Sequence, residues 1–320
     1  MVQEANQYVV FAGSQGGAIA QRICDHLNCR LGKVTINRFS DGEFSAAFDD
    51  SVRGQSVYLV QSTNPNSDHL MELLLMIDAA KRASAYKVIA VVPYFGWARQ
   101  DRKDKPRVSI GAKLVANMLQ VAGADRVITV DLHADQIQGF FDIPVDHLYG
   151  ANVLANYVES LRLKKLIIAS PDVGGSKRAV AFAKKLHMLT DKEVPMVICY
   201  KNRPDFNKVS EIRILGDVYD KDVVIVDDMV DTAGTLCAAA KTMKEAGAKT
   251  VRAVVSHGLM SGDACRLIEE SELEEVVFTD SIPFDMSRCS KVKTVSIAEP
   301  IAATIRAIQE HKSISEINIR

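Results

Sequence analysis

Short, β-branched runs alternate with helical patterns along almost the whole 320-residue chain. Several of these runs are continuously apolar, which is typical of strands buried on both faces of a parallel sheet. The alternation predicts βαβ units with right-handed crossovers, and therefore an α/β fold of mostly parallel sheets flanked by helices. The runs that predict strands span 8–12, 57–61, 87–94, 126–131, 165–170, 195–200, 223–228, 250–256 and 275–279.

Two segments between these runs place apolar residues at helical spacing, and Gly123 and Gly247 follow helical runs, where a left-handed C-cap favours glycine. We expect each segment, 70–83 and 110–121, to bury its apolar residues against a sheet. The predicted core-facing residues are Leu70, Leu73, Leu74 and Ile77 in the first segment, and Ile110, Leu114, Met118 and Val121 in the second.

The length suits two α/β domains. We predict an N-terminal domain over residues 1–149 and a C-terminal domain over 150–302, with a C-terminal helix at about 303–320 that packs back on the first domain. Each half contains a strand that ends in acidic residues, VDLH at 130–133 and VDDM at 226–229. This likeness hints at two related domains.

Charge and cysteine content exclude several classes of protein. The 39 basic and 40 acidic residues give a net charge of −1, so nucleic acid is not expected as a partner. The N-terminus does not resemble a signal peptide and no apolar run is long enough to span a bilayer, so we expect a cytoplasmic protein without a membrane partner. The six cysteines are expected to be reduced thiols, and Cys24 and Cys29 lack the second ligand pair that a zinc site needs.

The most informative motif is VVIVDDMVDTAGT at 223–235, in which an apolar strand leads directly into Asp227 and Asp228. Two adjacent carboxylates can accept hydrogen bonds from neighbouring hydroxyls of a sugar. The small residues that follow allow backbone N–H groups to surround a phosphate at a helix N-terminus. An acidic loop with an N-cap would explain single residues but not the whole string. The turn residues are Asp231, Thr232, Ala233, Gly234 and Thr235.

This string resembles the phosphoribosyl diphosphate motif shared by phosphoribosyltransferases and ribose-phosphate diphosphokinases. Five strings, in the family's order and spacing, resemble the diphosphokinases, and in particular their phosphate-activated, ADP-inhibited class; the resemblance covers residues 8–315. Simple phosphoribosyltransferases usually have one domain and lack the first three strings. The five strings are RFSDGE (38–43), ARQDRKDK (98–105), VDLHADQIQGFFDIPVDHLY (130–149), SPDVGGSKRA (170–179) and GDVYDKDVVIVDDMVDTAGT (216–235).

The resemblance implies two phosphoribosyltransferase-like domains and a Mg²⁺-dependent transfer of the β,γ-diphosphate of ATP to the 1-hydroxyl of ribose 5-phosphate. It also implies a homohexamer, because the residues matching Phe39, Asp41 and Glu43 often contribute to a neighbouring subunit's ATP site. The implied ATP-binding residues are Phe39, Asp41, Glu43, Arg99, Gln100, Asp101 and His133.

The remaining roles implied by the resemblance concern the sugar phosphate, the diphosphate and the metal. Lys201 and Arg203 match a catalytic pair whose cations stabilise the charge that develops on the migrating diphosphate. The implied ribose 5-phosphate residues are Arg203, Asp227, Asp228 and 231–235; the diphosphate loop residues are Asp172, Gly174 and Gly175; and the Mg²⁺ residues are His133, Asp172 and Asp131.

A phosphate or ADP effector site is also implied, at positions that would otherwise be ordinary surface residues. Asp142 and Asp146 match positions described as metal-associated in relatives, and we interpret them as structural or subunit-contact residues. The implied effector residues are Ser51, Arg53, Arg178, Ser313 and Ser315.

Three departures from the family pattern bear on activity. Asn202 replaces the middle residue of a usual Lys-Arg-Arg, which puts loop closure in question, and Trp97 replaces a tyrosine or phenylalanine. Ser109-Ile110-Gly111 replaces Pro-Ile-Ser/Thr, and we expect it to loosen the nucleotide side without touching a chemical group. A non-catalytic regulatory subunit of the same family and a phosphoribosyltransferase are the alternatives; the retained catalytic positions disfavour the first, and the ATP-side strings disfavour the second.

Overall fold

The computed structural model describes residues 8–202 and 211–315, apart from the side chains of 201, 202 and 211. Its strands are β1 (Tyr8–Ala12), β2 (Val34–Arg38), β3 (Phe44–Phe48), β4 (Ser56–Val60), β5 (Lys87–Val92), β6 (Arg126–Val130), β7 (Val145–Leu148), β8 (Leu166–Ser170), β9 (Met196–Asn202), β10 (Glu211–Leu215), β11 (Asp222–Val230), β12 (Thr250–Gly258), β13 (Val276–Thr279) and β14 (Val292–Val295). Its helices are α1 (Gly17–Leu27), α2 (Asp68–Arg82), α3 (Gly111–Ala122), α4 (Ala151–Ser160), α5 (Ser176–Thr190), α6 (Gly234–Glu245), α7 (Ala264–Glu270) and α8 (Ala298–Gln309).

The described residues form two compact units. Unit 1 contains the described residues up to Tyr149, together with Ser281–Pro283 and those from Ile297 onward. Unit 2 contains the described residues of Gly150–Asp280, and Phe284–Ser296. Unit 1 resumes at Ile297, a few residues before the predicted boundary at 303. Residues 281–283, which the sequence placed in the C-terminal domain, also belong to unit 1.

Helix α8 packs against α1 within unit 1. Arg306 Nη2 donates to the carbonyl of His26 at 2.7 Å, and Gln309 Nε2 donates to the hydroxyl of Tyr58 at 2.7 Å. The helix buries Ile301 and Ile305 completely. Helix α8 therefore supplies part of the core of unit 1.

The sheet of unit 1 has the strand order β1-β4-β5-β6-β7, with every pair parallel. Strand β4 is buried at all five positions, as the apolar run from Val57 onward predicts. Strands β2 and β3 form a separate antiparallel hairpin. The carboxyl ends of the five parallel strands therefore meet at one edge, where open α/β sheets bind ligands.

The sheet of unit 2 has the order β10-β9-β8-β11-β12-β13-β14 and is parallel except for the edge pair β9–β10. Apolar clusters cover both of its faces. Five strands of this sheet, in the order β8-β11-β12-β13-β14, follow the same scheme as the β1-β4-β5-β6-β7 sheet of unit 1. In both, the first strand pairs with the strand three further along the chain, and the remaining strands follow in chain order. The predicted α/β class with two related, mostly parallel sheets is confirmed.

One helix buries a different face from the one the sequence suggested. Leu114 and Val121 of α3 are 58% and 88% exposed, whereas Val115 and Leu119 are buried, together with the alanines at 112 and 116. Helix α3 is apolar over most of its circumference, so spacing alone does not choose the buried face. Of the residues predicted to face the core, Met118 packs partly buried against it.

The other predicted helix and both glycine caps agree with the structure. Leu70, Leu73 and Ile77 of α2 are buried, and Leu74 packs partly buried against the same core. Gly123 and Gly247 follow α3 and α6 with φ angles of 113° and 87°. In the described part of the chain, no helix is both long and apolar enough to cross a membrane.

Candidate active site

A cavity of about 440 Å³ lies in unit 1, bounded by the segments that follow β5 and β6. These strands are neighbours in the sheet, so the residues after their carboxyl ends come together. Four of the seven predicted ATP-binding residues line the cavity, which mixes cationic and acidic groups with a histidine. The lining residues are Arg99, Gln100, Asp101, Arg102, Asp104, Val108, Ser109 and His133.

Gln100 is held at this cavity by the segment that departs from the family pattern. Ser109 Oγ donates to Gln100 Oε1 at 3.1 Å, and the backbone N–H of Ala112 donates to the carbonyl of Gln100 at 3.2 Å. A Cβ atom on Gly111 would lie only 2.7 Å from Gln100 Oε1. The departure at 109–111 therefore contacts Gln100, a predicted nucleotide-binding residue. The expectation that it loosens the nucleotide side without touching a chemical group stays a prediction.

His133 reaches the cavity from a sharp bend at the end of β6. Asp131 has a φ of 38°, in the left-handed region that is uncommon for residues other than glycine. Its N–H donates to the carbonyl of Leu148 at 3.0 Å. The next N–H, that of Leu132, donates to Nε2 of His147 at 2.9 Å. The bend is thus fixed by two consecutive hydrogen bonds to β7.

The other three predicted ATP residues lie elsewhere in unit 1. Phe39, Asp41 and Glu43 occupy the turn between β2 and β3, where Phe39 is 55% exposed. The turn is closed by the N–H of Glu43, which donates to Asp41 Oδ1 at 3.0 Å. None of the three lines the cavity. The structure of this chain therefore does not bring them to its own nucleotide-side residues.

Unit 2 presents a pair of carboxylates beside an arginine. Asp227 and Asp228 lie near the end of β11, and Arg178 Nη1 lies 3.0 Å from Asp227 Oδ1 and 3.4 Å from Asp228 Oδ1. Burial, together with the negative charge of Asp228, raises the pKa of Asp227 to about 7, against the opposing effect of Arg178. Arg178, which the sequence assigned to an effector site, thus contacts the predicted sugar-binding carboxylates.

The turn at 231–235 leads from β11 into α6. Ala233 adopts a φ of 63° immediately before the helix begins at Gly234. Thr232, Gly234 and Thr235 are exposed at this point. The first N–H groups of a helix lack intrahelical acceptors, and the helix dipole favours an anion there. The turn therefore has the features of a phosphate-binding helix N-terminus.

The glycine turn after β8 is closed by its own aspartate. The N–H of Gly175 donates to Asp172 Oδ1 at 2.8 Å, and Ser170 Oγ donates to the carbonyl of Asp172 at 2.6 Å. A Cβ atom on Gly175 would come within 2.9 Å of Ser170 Oγ. One oxygen of the Asp172 carboxylate is consequently engaged by the loop itself, while Gly174 is exposed at the turn.

The described residues contain no group of three or more His, Cys, Asp or Glu side chains that could hold a metal ion. All six cysteines are free thiols, and burial raises the pKa of Cys24 to about 12. Mg²⁺ often binds through one or two protein ligands, with substrate phosphates and waters completing the shell. Asp131 and His133 belong to unit 1 and Asp172 to unit 2, and their role as Mg²⁺ ligands stays a prediction.

The predicted catalytic pair, Lys201 and Arg203, lies where the described residues end after β9. Only the backbone of Lys201 and Asn202 is described, at the end of β9, where they pair with Ile212 and Glu211 of β10. Arg203 lies outside the described residues. The roles of Lys201 and Arg203 therefore stay predictions.

The remaining effector residues lie in unit 1. Arg53 Nη1 donates to Ser84 Oγ at 3.1 Å, and the carbonyl of Ser51 accepts from Gln55 at 3.5 Å. Ser313 Oγ donates to Ser315 Oγ at 2.9 Å. All four of these residues make local hydrogen bonds, and their regulatory role stays a prediction.

Sequence reasoning did not single out the glycine-rich turn after β1. The N–H of Ser14 donates to Glu72 Oε1 at 2.5 Å, and the N–H of Gln15 donates to Gln61 Oε1 at 2.8 Å. Glu72 is only 1% exposed. Side chains of the protein therefore occupy two donors of this turn. The signal that could have found it is the GSQGG string between an apolar run and a helical pattern.

Asp146, which matches a metal-associated position, is part of a buried ion pair. Both of its carboxylate oxygens accept from Arg126 Nη1, at 2.8 and 2.7 Å. Burial raises the pKa of Asp146, and Arg126 opposes that shift. The geometry supports the structural interpretation of Asp146.

Comparison with known proteins identifies the family. The chain matches the family model of the N-terminal domain of ribose phosphate pyrophosphokinase over residues 8–123, and that of the phosphoribosyl synthetase-associated domain over residues 188–318. It is 55% identical over 313 residues to ribose-phosphate pyrophosphokinase of Porphyromonas gingivalis, covering 98% of each chain. It is 48% identical to that of Chlorobaculum tepidum, covering 96% of this chain and 93% of the relative.

Among solved structures, phosphoribosylpyrophosphate synthetase from Mycobacterium smegmatis matches with a TM-score of 0.88 and 37% identity, covering 95% of this chain and 99% of that one. The likeness extends through both units. The chain belongs to the ribose-phosphate pyrophosphokinase family, also called ribose-phosphate diphosphokinases.

Proposed function

We propose that the protein is a Mg²⁺-dependent ribose-phosphate diphosphokinase that converts ATP and ribose 5-phosphate into 5-phosphoribosyl 1-diphosphate and AMP. The observation that carries the proposal is the carboxylate pair followed by a small-residue turn in unit 2, in a chain that matches enzymes of this name over nearly its whole length. The cavity of unit 1 supplies the second set of groups that such a reaction needs.

The unit 1 cavity has the size and chemistry of a nucleotide site. Its volume of about 440 Å³ lies within the usual range for small-molecule sites. The guanidinium of Arg99 can bind phosphate oxygens with two N–H donors or stack on a base. Gln100 accepts a hydrogen bond from Ser109 and offers an amide to a ligand, and His133 adds a nitrogen ligand at the same cavity.

The strand end of unit 2 has the chemistry of a sugar-phosphate site. When ionised, Asp227 and Asp228 are acceptors only, so they suit the two neighbouring ring hydroxyls of a ribose. The N-terminus of α6, with the turn at 231–235, suits the 5-phosphate. Thr232 and Thr235 are exposed there and can donate from their hydroxyls.

The residues for the diphosphate and the metal come from three segments. The turn containing Asp172, Gly174 and Gly175 would approach the diphosphate with its backbone. Mg²⁺ would be held by Asp131, His133 and Asp172 together with phosphate oxygens, and when bound it neutralises negative charge on the diphosphate. We propose no protein side chain as a general base.

In the reaction, the 1-hydroxyl oxygen of ribose 5-phosphate forms a bond with the β-phosphorus of ATP, and the bond from that phosphorus to the α–β bridging oxygen breaks. AMP leaves, and the hydroxyl proton is released. Such transfers depend mainly on positioning and electrostatic stabilisation. Lys201 and Arg203 would supply the cations that neutralise the migrating diphosphate.

The assembly and regulation of the enzyme are part of the proposal. In a homohexamer, the exposed turn with Phe39, Asp41 and Glu43 would complete the ATP site of a neighbouring subunit. Phosphate and ADP would act at a site containing Ser51, Arg53, Ser313 and Ser315. The expected location is the cytoplasm.

The test is ³¹P NMR of the protein mixed with ATP, ribose 5-phosphate and Mg²⁺, with and without inorganic phosphate. AMP appearing together with a sugar 1-diphosphate supports the proposal, and ADP instead of AMP would mean attack at the γ-phosphorus. D228N should lose turnover, whereas D263N, on an exposed residue of unit 2, should retain it. No turnover under either condition would favour the non-catalytic regulatory subunit.

A further inference from the structure

A buried histidine supports the bend that carries His133. The N–H of Leu132 donates to Nε2 of His147 at 2.9 Å, and the two residues are 4% and 3% exposed. Water therefore has little access to this hydrogen bond. If the acceptor were lost, a backbone donor would be left buried without a partner, which is unfavourable.

The hydrogen bond lies where the chain turns out of the sheet. Strand β6 pairs with β7 in parallel as far as Val130 and Leu148, and Asp131 then takes its left-handed φ of 38°. A residue in that conformation persists only when its surroundings hold it. The carbonyl of Leu148 holds one N–H of the bend and the ring of His147 holds the next. His133 follows immediately and lines the cavity.

The geometry also selects one tautomer of His147. Because Nε2 accepts a hydrogen bond, the neutral ring must carry its proton on Nδ1. On that side, Oδ1 of Asp135 lies 3.7 Å from Nδ1 and is the acceptor that a proton on Nδ1 faces. Nε2 of Gln138 lies 3.2 Å from Nδ1, but it is itself a donor and gives a hydrogen to the carbonyl of Asp135. The ring of Tyr149 packs against the imidazole, with centroids 4.7 Å apart. The carboxylate and the packed ring hold the histidine so that Nε2 faces Leu132.

We infer that His147 is a positioning residue for the nucleotide side of the reaction, acting through the backbone of Leu132 on the direction of His133. This inference rests on the proposed function, in which His133 binds the metal–nucleotide. His147 is not among the residues that line the cavity. His147 therefore affects the rate through the position of His133, and a displacement of a binding group by about 1 Å can lower a rate as much as a hundredfold.

The test compares two replacements of His147 in the full-length enzyme. Glutamine carries an oxygen near the position of Nε2 that can accept from Leu132, whereas leucine fills the space without an acceptor. We expect H147L to lower kcat/KM for ATP by roughly tenfold to a hundredfold. Its KM for ribose 5-phosphate should stay near the wild-type value. H147Q should recover most of the loss, and H26L, on an exposed residue of α1, should behave as wild type.

Two measurements do not need turnover. Titration with a Mg²⁺ complex of a non-hydrolysable ATP analogue should show weaker binding by H147L than by H147Q. ¹⁵N NMR of histidine-labelled enzyme should show the Nε2 of His147 unprotonated and hydrogen-bonded at neutral pH. A proton on Nε2 would overturn the inference, as would equal losses in H147Q and H147L or a KM change confined to ribose 5-phosphate. Failure of the proposed function itself would instead appear as a wild-type enzyme that makes no AMP.

Discussion

Arg178 Nη1 lies 3.0 Å from Oδ1 of Asp227, and the same nitrogen lies 3.4 Å from Oδ1 of Asp228. The pair of carboxylates is thus accompanied by a cation from the helix that follows the Asp172 turn. Burial and the neighbouring carboxylate raise the pKa of Asp227, and Arg178 lowers it. Arg178 therefore helps to keep ionised the group that is proposed to accept hydrogen bonds from ribose.

The first prediction concerns the pH dependence of ribose 5-phosphate use. Only ionised Asp227 is a pure acceptor, so kcat/KM for ribose 5-phosphate should fall as pH drops below about 7, the pKa of that residue. R178Q removes the cation that lowers this pKa, so the fall should begin at a higher pH. The measurement is a pH–rate profile with ATP saturating.

The control for this profile is R266Q, since Arg266 makes comparable contacts with Asp263 and Glu270 on the exposed surface of unit 2. It should leave the profile where the wild type has it. If kcat/KM of R178Q began to fall at the same pH as that of the wild type, the proposed coupling between Arg178 and Asp227 would be contradicted.

The second prediction is that D227N stabilises the fold while it impairs the enzyme. The folded chain holds a proton on Asp227 up to about pH 7, whereas the unfolded chain loses it near the ordinary value of 3.8. Stability should therefore fall as pH rises through this window. Asparagine cannot ionise, so the variant should melt at least about 2 °C higher than wild type at pH 8 and near wild type at pH 4. Thermal unfolding at the two pH values checks this, and an equal shift at both would count against an ionisation effect.

Much of this architecture follows from local sequence patterns. All nine predicted strands are present because continuous apolar runs are a strong signal for buried parallel strands. The sequence also identified Arg99, Gln100, Asp101 and His133, which the structure brings together at one cavity because they follow adjacent strands. Resemblance to the family supplied those residues, and sheet topology explains why they meet.

What could not be predicted depends on contacts between distant residues or on weak local signals. Glu72 closes a turn 58 positions away, and Arg178 meets a carboxylate 49 positions away; neither spacing is visible in a motif. Strands β2, β3, β7, β10 and β14 were missed because they are short and mostly half-exposed or at sheet edges. For α3, an apolar surface on several sides left the buried face undetermined until packing selected the alanines.

The third prediction concerns the contact between Gly111 and Gln100. In G111A the new methyl group would lie 2.7 Å from Oε1 of Gln100, at the far end of a flexible side chain, so the side chain should move rather than the helix. We expect KM for ATP to rise roughly threefold to tenfold, with no loss of stability because alanine favours the helix. Steady-state kinetics and thermal unfolding measure the two effects. G17A, at a helix start with nothing within 4 Å, is the control and should leave KM unchanged.

The fourth prediction concerns the buried ion pair of unit 1. R126M leaves the carboxylate of Asp146 buried without its cation, so the free energy of unfolding should fall by about 3 kcal/mol near neutral pH. Burial already raises the pKa of Asp146, and removing the arginine raises it further. Since the protonated acid tolerates burial, the loss should shrink as pH falls. Denaturant unfolding at several pH values tests this, with R82M on the exposed Asp78 pair as a control that should change stability little.

The last prediction separates two adjacent glycines at the turn after β1. A Cβ atom on Gly16 would lie 1.9 Å from the carbonyl oxygen of Val60 in β4, and backbone of a central strand cannot move aside without disturbing the sheet. We expect G16A to lower the free energy of unfolding by on the order of 3 kcal/mol. G17A meets no atom within 4 Å and should be neutral or gain up to about 1 kcal/mol. Equal stabilities for the two variants, measured by denaturant unfolding, would show that the turn does not approach β4 this closely.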